Sequence, residues 1–282
     1  MIRLWRRLVD FFLYEEASTR PAALMRIGLV ALLWSRYASD FLLFRNLEPY
    51  YLLHGISFFI ATTLMFFGAW TRLSSLWTAV TVVSFYYYLG FAKGVEPYTH
   101  HHTYLLGIGA CFIALSPCGR SYSWDRWRAL KKAERTGSAP PLERGPQWAI
   151  RLLALQLSLI YFWTAFDKCS GAFLSGERLE HHLMYLFLGS DYPQNAWFHP
   201  LMVLVAWVTV SLEFVLCFGL WFKRFQRWLI PIGLVFHGLF YVLLPVGSFS
   251  LTMWLFYLAY LDPDAVHNFL DRLSAGPAPS QA

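Results

Sequence analysis

Long apolar runs, each closed by a short polar or Gly/Pro-containing segment, set the architecture of this chain. They extend over about 20 residues without strand-like alternation, which predicts membrane-crossing helices rather than a barrel. Eight spans are expected, at roughly residues 22–44, 50–70, 73–91, 99–116, 147–166, 200–222, 227–245 and 247–261. The fourth and eighth are short enough to be partial or tilted. Residues 1–18 mix Arg3, Arg6, Arg7 and Asp10 with Leu4, Trp5, Leu8, Phe11 and Phe12, the pattern of an interfacial amphipathic helix. That stretch makes a poor signal peptide, because its apolar run is short and ends in Glu15-Glu16. Residues 117–147 form the one long basic loop, with a flexible Gly137-Ser-Ala-Pro-Pro141. Residues 167–199 are too long for a turn and too interrupted for a span. They read as an outer re-entrant or lid segment, with an amphipathic helix on the surface as the other reading. Residues 265–282 are expected to be a flexible tail. The expected fold is all-α: one polytopic helical domain over 1–264.

Composition agrees with this pattern. The chain is 57% hydrophobic, 19% aromatic and 14% charged, well below the roughly 25% charge of soluble domains. Four cysteines show no CxxC and no metal-ligand spacing, and no disulfide is expected.

The net charge of +6 changes the picture only through its distribution. With the N-terminus inside, 16 of the 23 Lys and Arg fall in inner segments, four in outer ones and three within spans. That asymmetry predicts cytoplasmic N- and C-termini. The basic residues then meet anionic lipid, and nucleic acid is not expected as a partner.

This topology gathers the reactive side chains on the outer face. Glu96, Tyr98 and His100-His-His102 precede the fourth span, Asp167-Lys168 ends the fifth, and Glu177, Arg178, His181, His182 and His199 lie in the outer segment. Lys168 either snorkels to the headgroups or acts as a base in a half-dry pocket. Glu213, within the sixth span, must be neutral or paired, and Arg26, Arg36 and Arg151 are its candidate partners. His237, in the seventh, reads as a packing histidine or a ligand-binding one. Contiguous histidines cannot all face one ion, so no metal site is expected.

Four stretches carry a resemblance: Pro21–Gly28 with Arg26; Thr99–Gly107 with Ser121–Asp125; Tyr161–Gly176 around Lys168; and Phe236-His237 with Ser248–Met253 and Tyr260–Pro263. Together they resemble the horizontally transferred transmembrane (HTTM) domain family, whose best-known relative is vitamin K-dependent gamma-glutamyl carboxylase. The resemblance implies that Lys168 is the base that deprotonates a reduced vitamin K or menaquinol-type quinone. Oxygen then generates a stronger base, and carbon dioxide traps a substrate carbanion, a carbon-carbon lyase chemistry. It implies a catalytic role for His102 beside that carbanion. His101, Tyr104, His237, Phe236, Trp254 and Arg36 would contact substrate or quinone, with Arg26 and Glu213 structural. A peptide or small molecule would be the acceptor. A non-catalytic quinone- or lipid-binding protein of the same fold is the alternative, and a transporter fits less well because no inverted repeat is present.

Overall fold

A computed structural model describes residues 5–6, 9–42, 48–189, 197–244 and 247–274. The chain is mostly helical and divides into two compact units, Met1–Ala154 with Val246–Ala282, and Leu155–Pro245.

The first unit contains α1 (Arg20–Tyr37), α2 (Pro49–Phe67), α3 (Thr71–Ser84, continued as a π-helix over Phe85–Ala92), α4 (His101–Leu115) and α5 (Trp124–Thr136). α6 (Trp148–Lys168) carries the chain into the second unit, which holds the turn α7 (Gly171–Leu174), α8 (Glu177–Leu188), α9 (Phe198–Gly219) and α10 (Lys223–Leu243). The chain then returns to the first unit as α11 (Gly247–Phe256) and α12 (Pro263–Ser274). Four of these helices, α2, α6, α9 and α10, are long and apolar enough to cross a membrane. α4 and α11 are apolar but shorter. α1 ends at Tyr37 rather than near 44, in a turn where Arg36 faces Asp40 at 3.6 Å.

A buried polar joint organises the first unit. Arg26 is fully buried on α1 and donates to the carbonyls of Cys118 (3.0 Å) and Tyr122 (2.5 Å). Asp125 accepts from the backbone N–H groups of Trp70 and Thr71 and from the Thr71 hydroxyl, at 3.0, 2.6 and 2.7 Å. These are the orphan donors at the start of α3, and a carboxylate there also meets the positive end of the helix dipole. Ser123 caps α5 in the same turn by accepting from Arg126 N–H. The Ser121–Asp125 stretch thus joins α1, α3 and α5.

Several expectations are corrected. The loop 117–147 is not flexible throughout, because Trp124–Thr136 is a capped helix rich in Arg, Ala, Leu, Lys and Glu, all good helix formers. The segment 1–18 is helical at Trp5–Arg6 and Val9 and as a π-helix over Asp10–Tyr14, but the helix does not reach 18, because Glu16–Ser18 is β1, antiparallel to β2 (Arg144–Pro146). Residues 1–4 and 7–8 lie outside the described residues. The pairing holds because the Gln147 amide donates to the carbonyls of Ala17, Ser18 and Gly145; it is a short ladder in a mostly helical chain. Nor is the tail flexible from 265. Asp262 accepts from the N–H groups of Asp264 and Ala265 to start α12, and Arg20 holds Asp271 at 2.6 Å. That contact keeps the Asp271 carboxyl below its ordinary range. Residues 275–282 lie outside the described residues.

In the second unit Gly176 starts α8 with φ of +79°, and a Cβ there would approach Val203 N of α9 to 2.5 Å. Gly94 has a similar φ, +69°, with open space around it. Gly94→Ala should therefore cost about 1–2 kcal/mol from conformation alone. Gly176→Ala should cost several-fold more, read as a clearly larger fall in melting temperature for the purified protein.

Candidate functional site

The site begins with small residues. Ala165 of α6, Ala206 and Val210 of α9, and Phe173 of α7 form one buried cluster. Small side chains let helix backbones approach closely where lipid gives no hydrophobic drive. Lys168 lies three residues after Ala165 and Glu213 three after Val210, so each shares the face of its helix that enters the cluster. The consequence is a direct ion pair. Lys168 Nζ lies 2.7 and 2.9 Å from the two carboxylate oxygens of Glu213. The Glu213 side chain is 4% exposed and that of Lys168 24%. The ammonium also lies 6.0 Å from the Phe173 ring centroid.

One heptad before Lys168 on the same face, Tyr161 brings its hydroxyl to 2.7 Å from Nε2 of His237. Both residues are almost fully buried. His237 is within electrostatic range of Lys168, so the two pairs lie on the same side of α6. Its surroundings are aromatic: Phe236 packs on Phe240 at 4.4 Å, and Phe162 meets Phe166 and Phe214. Glu180 of α8 pairs with His199 at 2.6 Å, while His181 and His182 are exposed.

The other sequence-derived candidates lie in the first unit. His102 is half-buried near the start of α4, its ring edge-to-face with His100 at 5.3 Å, and His101 is exposed. Arg36 donates to the Pro97 carbonyl at 3.2 Å and faces Asp40, which accepts from Tyr98 at 2.8 Å. Burial and the Asp40 carboxylate hold the Tyr98 phenol well above its ordinary range. Arg36 therefore anchors the 96–98 turn to α1. Tyr104 is partly exposed against Tyr86, and Trp254 partly exposed on α11. Among the described residues no cluster could hold a metal ion.

The candidate partners named for Glu213 were the wrong ones. Arg26 binds two carbonyls, Arg36 the 96–98 turn, and Arg151 pairs with Glu15 at 2.8 Å. The partner is Lys168, and Tyr161 was missed altogether. The usable signal was the heptad Tyr161–Lys168, which puts a phenol and an amine on one face of a membrane helix.

The model of the family described as the HTTM domain matches residues 25–264. The chain belongs to the HTTM domain family. No curated protein and no solved structure matches it.

In this HTTM protein the matched region contains every member of both polar groupings. The paired cluster has a defined chemical capacity. While Lys168 is an ammonium facing a carboxylate, it has no lone pair to take a proton. Moving one proton from Nζ to the carboxylate oxygen 2.7 Å away yields a neutral amine beside a carboxylic acid. Where water is excluded, the charged form of such a pair is penalised relative to the neutral one. The pair can then accept one further proton at Nζ.

Breaking the pair leaves a buried charge alone. Glu213→Ala or Lys168→Met should each destabilise the HTTM protein by about 3–5 kcal/mol, whereas the double variant Lys168→Met/Glu213→Leu should recover most of that loss. Thermal unfolding of the four proteins as a double-mutant cycle checks this.

Proposed function

We propose that this HTTM membrane protein is a carboxylase-like enzyme of a bacterial inner membrane. Its eight-span fold would keep both termini on the basic, cytoplasmic side and Lys168 on the outer side. The charge distribution of the chain supports that orientation. In this reading Lys168 takes a proton from the hydroxyl of a reduced vitamin K or menaquinol-type quinone. The observation that carries it is the direction of the amine. Lys168 turns inward to a carboxylate with 4% exposure instead of reaching the headgroups.

The side chains present suit a flat hydroxylated ring. Lys168 Nζ accepts a proton, the Tyr161–His237 pair offers a second hydrogen-bonding point, and Phe162, Phe173 and Phe236 supply apolar walls. When bound, the reduced quinone would be the reductant that oxygen oxidises, a reaction that would supply a strong base, and carbon dioxide would supply the group to be added to a peptide or small-molecule acceptor. Glu213 positions the amine and stores its proton. Tyr161 fixes which nitrogen of His237 faces the cluster. Aromatic packing excludes water, which would otherwise level the basicity of the amine. His102 is proposed, on the family resemblance, as the catalytic histidine beside the carbanion, with His101 and Tyr104 in contact with substrate.

Purified protein in lipid nanodiscs, given reduced menaquinone, oxygen and labelled bicarbonate, should consume the quinol. Lys168→Met/Glu213→Leu, which keeps the fold, should lose about 10²–10⁴-fold of that rate. Turnover that survives this substitution would remove Lys168 from the chemistry. His102→Ala tests the histidine separately through label incorporation.

One observation favours a second reading, a non-catalytic quinone- or lipid-binding protein. The amine already has a counter-ion, which suits a structural pair as well as a base. Quinone that co-purifies stoichiometrically without turnover would select this reading.

A further inference from the structure

The α2–α3 hairpin takes no part in the chemistry above, yet it contains a groove of about 380 Å³. That volume falls in the range of small-ligand sites. Its rim is apolar and open: Leu53 is 67% exposed and Val80 61%. Its floor is polar, made by His54, Ser57, Trp77, Thr81 and Ser84. α2 is one of the helices able to cross a membrane, so in a bilayer the rim would face hydrocarbon, where uncompensated polar atoms are costly.

The hydrogen bonds of the floor can be followed atom by atom. Trp77 Nε1–H donates to Ser57 Oγ at 2.7 Å. Thr81 Oγ1 donates to the Trp77 carbonyl at 2.9 Å, and Ser84 Oγ to the Thr81 carbonyl at 2.7 Å. The Ser57 proton is then left for Thr81 Oγ1 at 3.2 Å. Each hydroxyl has only one proton, and all are used. His54 Nδ1 lies 2.9 Å from the Tyr50 carbonyl, which can only accept. The ring proton is therefore on Nδ1, and Nε2 is an acceptor. Stacking holds the imidazole in place: His54 lies 3.7 Å from the Tyr50 ring, which stacks on Tyr88 at 4.0 Å.

Among the described residues that line it, the groove thus presents acceptor lone pairs, no spare side-chain donor and no charged side chain; the Tyr50 hydroxyl is buried and lies outside that lining. A phosphate, carboxylate or quinone carbonyl would find nothing to donate to it, and a cation would find no anion. We propose that this groove binds an uncharged, hydrocarbon-tailed alcohol, whose hydroxyl donates to Nε2 of His54 while its chain lies along Leu53, Ile60 and Val80. The proposal shares no residue with the Lys168 cluster and stands whichever reading of that cluster holds.

Dioleoylglycerol carrying a photoreactive group on one acyl chain, incorporated with the purified protein into phosphatidylcholine nanodiscs, tests it. Illumination should label peptides covering residues 52–60 and 76–84. Unlabelled dioleoylglycerol should compete, and its O-methyl ether, which cannot donate, should compete about tenfold less well, as expected for one hydrogen bond. His54→Phe keeps the stack on Tyr50 and should reduce labelling by a similar factor, with the melting temperature confirming the fold. Equal competition by the methyl ether, or labelling spread evenly over all the exposed helices, would overturn the assignment. The ether comparison uses wild-type protein and decides the matter even if His54→Phe does not fold.

Discussion

A carboxylate within a membrane helix must find a proton or a cation, and in this protein that requirement is met by one lysine. Glu213 sits on the face of α9 that carries Ala206 and Val210, and Lys168 on the face of α6 that carries Ala165. Neither group is placed by a loop. Their positions follow from helical spacing and from small residues that let two backbones approach. The pair restricts the helix contact in turn, because sliding either helix by one residue would separate the charges. A structural pair and a proton-handling pair place the same demand on the fold. What distinguishes them is whether the proton can move between Nζ and the carboxylate without unfolding the site.

The first unit solves a related problem with carbonyls as the direct partners of the cation and Asp125 nearby. Arg26 is fully buried and satisfies two carbonyls at the end of the 118–122 turn. Tyr122 takes a φ of +45° in that turn, uncommon for a residue with a side chain. Gly68 lets the turn before α3 pass close by, since a Cβ there would fall 2.6 Å from the Arg26 guanidinium. Asp125 then caps α3 from the other side. Two of the four stretches that carry the family resemblance meet here, and their role is architectural.

Much of the membrane character was legible in the chain. Continuous apolar runs located α2, α6, α9 and α10 to within a few residues, because hydrophobic length is the dominant constraint on a spanning helix. Marginal segments were less legible. α5 and α12 are polar helices whose stability comes from caps and tertiary contacts, and mean hydropathy is blind to both. β1 and β2 are three residues each and pair across more than a hundred positions, which no local pattern encodes. At the site, Lys168, Glu213 and His237 were each conspicuous as polar residues in apolar surroundings. Their pairing was not, because the arginines are the obvious partners for Glu213, whereas Lys168 reads as a headgroup anchor or a base and not as its counter-ion. Tyr161 drew no attention, since one tyrosine among sixteen is unremarkable until its partner is known.

Two kinds of polar grouping therefore occur in apolar surroundings, and they differ in what they leave available. In the Lys168 cluster the groups are ionisable and paired, so its chemistry concerns where a proton rests. In the α2–α3 groove the hydroxyls and the indole use their protons among themselves and on backbone carbonyls, leaving lone pairs. Such a surface is selective by deficiency: it gains from a partner that brings a hydrogen and loses with any partner that needs one. In hydrocarbon this difference is amplified, because neither side can turn to water for the missing bond. The same scarcity of water that makes a lone Glu213 untenable makes an acceptor-only groove discriminating.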